Sequence, residues 1–520
     1  MRAIAFITLL FSVIRIYGQT TVLATGSGNT VGNSYATGSG LSLQLGINVE
    51  YLIVGGGGGG GTVTYGSGGG GGGVLYGDMN ITSGSAITII VGSGGSAGNS
   101  GSNTSALGLT AIGGGAGSNN SNLGQTGGSG GGNGYLNTNT GAAGTSGQGS
   151  RGGSGYGNGG GGGGGGGATA NGTNGVWEGG GNGGAGYTSS LNGTSLMYGT
   201  GGGGGGPWAG YSVNSSTWST SGAGMGGWAY GGGGHAVSGT NGRGGGGGGA
   251  SSGSWTAGSG GSGTVIIRYK GSQVFTGGTV TTINVSGQTF TVHTFSTPGS
   301  YTFTLNPALL SSTITGVISG SGNLEFISSG TLNLTGTNTY TSTTSISAGK
   351  LNVNGNHASA TGSISVQGNA SFGGTGTLGS STTVNSGASL APGVTMGVLT
   401  TSNNINLQTG STFQWELLGN TETLRGTNYD GVNFSGGTLT IQSGVTSALV
   451  FNSSGSTVDW TNSFWDNSHN WLVFDNVNTP NLTTDIFETI SETVDRNNKK
   501  LTSIRAGASF SGILLEMMCI

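Results

Sequence analysis

Apolar and polar residues alternate in short bursts along most of the chain, and the bursts are too brief for amphipathic helices. Tyr51-Leu-Ile-Val54, Val74-Leu-Tyr76, Ile87-Thr-Ile-Ile-Val91 and Thr264-Val-Ile-Ile-Arg-Tyr269 read as strands. Between the first and the last of these, the pattern is interrupted by runs with no side chains, at 55–61, 68–73, 159–167, 201–206 and 244–249. Glycine costs more to order than any other residue, so such runs are either disordered or packed backbone against backbone. Strands interleaved with the runs favour an ordered block over about 49–270. Its extended segments, with three residues per turn, would lie side by side as packed polyglycine helices.

Residues 19–48 carry short alternating pieces such as Leu41-Ser-Leu-Gln-Leu45, which predict leading strands. Gln288 to Leu305 alternates strongly and breaks at Pro298-Gly299, predicting a hairpin within a linker at 271–308. From 309 to 450 the strands shorten and recur between Gly, Asn and Ser turns. They include Thr331-Leu-Asn-Leu334, Lys350-Leu-Asn-Val353, Ser363-Ile-Ser-Val366, Thr377-Leu378, Ser389-Leu390 and Ile405-Asn-Leu407. That recurrence predicts a right-handed parallel β-solenoid with Leu332, Leu334, Leu351 and Val353 turned inward. A β-sandwich is the alternative. The Trp-rich segment 451–508 reads as a cap closing the solenoid's open end, and 509–520 as an atypical tail. The fold class is therefore all-β, a glycine-rich domain followed by a capped solenoid.

Composition narrows the function classes. Charged residues make up 5% of the chain, against about 25% in ordinary soluble domains, and the net charge is -3. Such a surface offers no field for nucleic acid, and no Lys/Arg run exceeds Lys499-Lys500. Arg2, the apolar run to Ile14 and small Gly18 read as a secretory signal over 1–18, with cleavage before Gln19. No later stretch has the roughly 18 apolar residues of a membrane helix, so no membrane span is expected in the mature chain. The expected location is extracellular or on the bacterial cell surface. The single cysteine, Cys519, has no partner for an internal disulfide.

Two resemblances follow from these residues. Glu50 to Val54 followed by poly-Gly, closed by Gly260-Gly-Ser-Gly-Thr-Val-Ile-Ile-Arg-Tyr269, resembles the glycine-rich domain of bacterial surface proteins and phage tail proteins. That resemblance implies packed polyglycine helices presenting loops. Ile318 to Leu324, Gly330 to Thr341, Thr344 to Gly355, Gly374 to Gly379, Ser386 to Gly393 and Gly436 to Ile441 resemble the autotransporter-associated β-strand repeat. It implies a β-helical passenger exposed on a bacterial surface, although no run of strands long enough for an outer-membrane barrel follows.

Chemistry is sparse. Asp430, Asp459, Asp466 and Asp475 are the carboxylates available for paired-acid cleavage of polysaccharide, and no spacing ties them together. His235, His293, His357 and His469 stand alone, so neither a metal nor a cofactor is expected. Aromatic residues cluster among the later glycine runs, where Trp177, Trp208, Trp218, Trp228 and Trp255 have Tyr187, Tyr211 and Tyr230 beside them. Rings on short loops of a rigid scaffold could stack on sugars or proteins, or could instead pack over glycine as core. Trp208, Tyr211, Trp218, Trp228 and Tyr230 are the candidate binding residues. The expected function is a non-catalytic, exported surface protein, structural or adhesive, with cell-surface glycans or proteins as partners. A polysaccharide-cleaving β-helix enzyme and an ice-binding or matrix protein stay open.

Overall fold

The computed structural model describes residues 13–14, 20–25, 30–31, 34–36, 41–82, 86–118, 123–158, 160–177, 179–206, 236–251, 256–306, 309–451, 453–467, 469–477, 489–490 and 513–517. Among them the chain is nearly all β, with one short 3-10 turn at Ser463–Asp466 and no α-helix. It divides into two compact units. One comprises 48–81 and 85–305, the other 1–47, 82–84 and 306–520.

The glycine unit opens and closes on paired strands. Thr264–Lys270 runs antiparallel to the second half of Leu41–Val54, with Thr264 opposite Val54 and Arg268 opposite Glu50. Leu52, Val54, Val74, Tyr198, Ile266 and Val292 form an apolar cluster there. The Arg268 guanidinium pairs with Glu50 and lies 4.8 Å from the Phe290 ring centroid. The hairpin expected around Pro298-Gly299 is placed differently. Gln288–Phe295 folds back on Thr279–Val285 through Ser286-Gly287, both of which have positive φ. Gly299–Leu305 pairs instead with Ile87–Val91. The physical reason is the turn: two residues in the left-handed region match the twist of a two-residue hairpin, and Ser286-Gly287 supplies them.

Beyond these strands the glycine runs form rods whose hydrogen bonds repeat every third residue. Gly55, Gly58 and Gly61 donate to the carbonyls of Gly73, Gly70 and Ser67. Gly56 and Gly59 donate to Ser102 and Asn99, while Gly57 and Gly60 donate to Gly261 and Gly258. Carbonyls of the same rod accept from Gly95 and Gly98, from Gly114 and Gly117, and from Gly247 and Ala250. Each turn thus aims its N–H groups at three neighbours and its carbonyls at three others. The rod 55–61 sits at the centre of a hexagonal array, and rod 161–167 is held in the same way. This satisfies every donor of a segment buried from water, which irregular buried backbone cannot do. It also explains the composition. A methyl group built on Gly58, Gly60, Gly68 or Gly165 would fall closer than 3.0 Å to a carbonyl oxygen of the neighbouring rod.

The second unit is a parallel β-solenoid of about five turns over 311–413. One stack runs through Ser311–Ile314, Thr331–Leu334, Lys350–Val353, Ser371–Gly374, Ser389–Pro392 and Thr412–Glu416. A second begins at residues 41–43 of the strand Leu41–Val54 and continues through Leu324–Phe326, Thr344–Ile346, Ile364–Val366, Thr382–Val384, Ile405–Leu407 and Leu439–Ile441. A third joins Asn356–His357, Thr377–Leu378, Val398–Thr401, Gly431–Phe434 and His469–Asp475. Parallel register throughout excludes the sandwich. Leu332, Leu351, Phe372, Leu390 and Phe413 stack in register and are buried, and Leu334 and Val353 lie inward beside them. Gly387, Gly410 and Gly444 take the positive φ that turns the chain into the first stack. At the far end Trp465 and Trp471 are fully buried, and Ile513–Met517 pairs antiparallel with His469–Asp475.

Candidate functional site

The rods of the glycine unit turn at the end away from the strands, and the exposed rings Tyr156 and Trp177 lie on these turns, whereas the exposed Tyr76 lies on the strand Val74–Thr82. Gly61 and Ser67 close the turn carrying Tyr65. Gly157 donates to the Tyr135 carbonyl, Gly155 to that of Asn137, and Gly161 to that of Val176, which places the turns at 135–137, 156–158 and 176–177 side by side. Tyr65 and Tyr135 meet edge to face with centroids 5.4 Å apart, and Tyr156 and Trp177 at 6.0 Å. Tyr156 is 46% exposed, Trp177 58%, and Leu136 and Val176 are exposed beside them. The one charged residue in the sequence of these turns is Glu178, next to Trp177. Rings that keep half their surface in water, next to Asn137, Thr138 and Asn158, offer stacking faces and neutral hydrogen-bonding groups together.

Trp208, Tyr211, Trp218, Trp228 and Tyr230 lie outside the described residues, as does Trp255. The described rod that precedes the first five in sequence ends at Gly206, and its Gly205 donates to the Gly66 carbonyl, next to Tyr65. Of the tryptophans between the later glycine runs, Trp177 is described, and it is on the surface. Tyr187, the other described ring of that group, stacks on Tyr76 at 4.2 Å instead and packs on the apolar cluster. Sequence reasoning passed over Tyr65, Tyr135 and Tyr156. The available signal was position: each comes within a few residues of the point where a glycine-rich segment stops.

The solenoid carries a second cluster of interest. Asp430 is fully buried, with Oδ1 accepting from the Gly397 N–H at 2.9 Å and Oδ2 from the Glu416 N–H at 3.1 Å. Burial, and then the neighbouring Glu416, push its carboxyl up to about 9. Burial raises Glu416 as well, and Gln414 and Lys350 draw it back. The Lys350 amine is lowered by burial and raised by both acids. Glu416 thus perturbs Asp430, while the Lys350 charge acts on both acids through space. Both Asp430 oxygens are occupied by backbone donors, and the residue has no exposed surface. Its geometry fits a clamp that ties Gly397 to the end of the strand Thr412–Glu416.

Asp430 is protonated in the fold up to about pH 9, against 3.8 when unfolded, so it stabilises the fold at acid pH and loses that contribution as pH rises towards 9. Chemical denaturation should show solenoid stability falling from pH 6.5 to 8.5, by on the order of 2–3 kcal/mol, because below pH 6.5 the buried neutral His357 contributes a slope of opposite sign. Asp430→Asn should flatten that slope. An unchanged slope in the variant would place the charge on Asp430 at neutral pH.

The other acids are dispersed. Asp459 accepts from the N–H and hydroxyl of Thr461, and Asp475 lies 3.9 Å from Arg425. His293 and His357 are buried, bonded to Tyr269 and Asn338 respectively, and lowered by burial, His357 to about 4. Among the described residues no three His, Cys, Asp or Glu converge to hold a metal, and no helix is long and apolar enough to cross a membrane.

Residues 39–270 match the family model described as a glycine-rich domain, and the rods fall within that span. No curated protein matches the chain at a significant level.

Proposed function

We propose that this is an exported bacterial cell-surface protein, structural and adhesive, whose glycine-rich domain binds neutral cell-surface glycans or proteins through its loop end and performs no catalysis. The observation that carries this reading is the exposed Tyr156–Trp177 pair with the more buried Tyr65–Tyr135 pair beside it, set on turns of a hydrogen-bonded lattice whose one charged residue in sequence is Glu178. Turns held in this way lose little conformational freedom on binding, so ring burial appears as affinity. The sequence that follows Gly206 carries Trp208, Tyr211, Trp218, Trp228 and Tyr230, further rings of the kind such a surface uses. The solenoid repeats, which resemble autotransporter-associated β-strand repeats, fit a passenger outside the cell, and the apolar run at the N-terminus fits export.

The test is display on bacteria followed by a glycan array. The displayed chain should begin at Gln19 by mass spectrometry and bind uncharged glycans. Tyr156→Ala with Trp177→Ala should weaken binding at least tenfold with an unchanged melting temperature, because exposed rings contribute to contact and little to the core. Undiminished binding would remove this surface from the reading, and retention of Met1 in the cytoplasm would remove export.

A further inference from the structure

The outer rods face a problem that the central rods do not. A rod with three residues per turn directs one N–H in three to each of three sides, so an outermost rod aims a row of donors where no further rod lies. Such a row is the counterpart of an open sheet edge, a template on which another chain can add.

Side chains answer these rows here. In the rod at 149–156, Ser150 and Gly153 donate to carbonyls of 161–167, and Gly152 and Gly155 to Ala142 and Asn137. The third row, from Arg151 and Ser154, ends on the Oδ1 atoms of Asn171 and Asn174 at 3.2 and 3.0 Å. The same device recurs on two other pairs of rods. Gly113 and Ala116 donate to Asn103 Oδ1 and Ser100 Oγ at 2.9 and 3.1 Å. Ser259 and Ser262 donate to Ser238 Oγ and Asn241 Oδ1 at 3.0 and 3.1 Å. In every case donors and acceptors both recur at three-residue intervals, one per turn. The asparagines are not needed to join their rods, because Gly172 and Gly175 already donate to the carbonyls of Arg151 and Ser154.

We propose that these Asn and Ser oxygens seal the bundle, standing in for the carbonyls of an absent rod and blocking lateral addition of a glycine-rich segment from a second copy of this chain. A second copy is the fitting occupant because only a rod without side chains can approach closely enough to take those donors, and this chain supplies many. The inference does not depend on what the loop end binds.

The experiment compares the full chain with Asn171→Gly/Asn174→Gly by size exclusion with light scattering across a concentration series. The variant should show at least twice the wild-type mass at equal concentration, with its circular dichroism spectrum retained. Asn171→Asp/Asn174→Asp keeps the acceptor oxygens and should keep the wild-type mass. A folded glycine variant of unchanged mass overturns the proposal. If that variant does not fold, Ser100→Gly/Asn103→Gly makes the same measurement on a separate face. Loss of the fold there too shows that the side chains hold the rods themselves, which also overturns it.

Discussion

Gly60→Ala should abolish cooperative folding of the glycine unit, whereas Gly147→Ala should leave it folded. Gly60 lies in the central rod, donating to Gly258 while its carbonyl accepts from Gly98. A methyl group there would meet the Gly248 carbonyl closer than 3.0 Å, and that oxygen belongs to backbone, which no rotamer change can move aside. Overpacking a core by a methyl group usually costs about 1–3 kcal/mol because side chains yield. Here a whole rod must shift, breaking several hydrogen bonds worth about 1 kcal/mol each. Gly147 has positive φ with open space around it, so alanine there costs about 1–2 kcal/mol for the left-handed conformation alone. Thermal melting followed by circular dichroism separates the two. A Gly60→Ala protein melting within a few degrees of wild type would mean that the rods are not packed as described.

The contrast marks how far the sequence could be read. The strands at Tyr51–Val54 and Thr264–Tyr269 were legible because apolar residues are concentrated there, and their pairing closes the unit. Ordering of the glycine runs was legible in outline, from the strands between them. Which rod lies beside which was not, since identical glycines carry no register, and the hydrogen-bond partners of 55–61 come from segments as distant as 258–261. The one local code, an oxygen-bearing side chain at every third residue of an outer rod, becomes readable only once the three-residue turn is known. The solenoid was legible because alternation in Leu332, Leu334, Leu351 and Val353 matches one buried face. Asp430 was not, because a carboxylate in a turn and a carboxylic acid buried under a loop look the same in sequence. At the loop end, tryptophans drew attention to 208–230, while Tyr65, Tyr135 and Tyr156 passed unnoticed as single rings among glycines.

Leu351→Asp should unfold the solenoid. Leu351 is 1% exposed and lies in register between Leu332 and Phe372, in a stack that Leu390 and Phe413 continue. Losing the leucine forfeits about 2–3 kcal/mol of apolar burial. Placing a carboxylate among apolar side chains with no cation adjacent in the stack costs several kcal/mol more, or forces the group to stay protonated. The sum approaches the 5–15 kcal/mol that holds a typical domain together. Solenoid turns are stabilised by their neighbours, so damage at one turn weakens those on either side. Hydrogen exchange should accordingly show protection lost across Thr331–Leu334, Lys350–Val353 and Ser371–Gly374 together, not at 351 alone. Leu351→Met preserves volume and polarity and should cost less than about 1.5 kcal/mol. If the aspartate variant instead kept wild-type protection throughout these strands, residue 351 would have to face solvent and the inward ladder of the solenoid would be wrong.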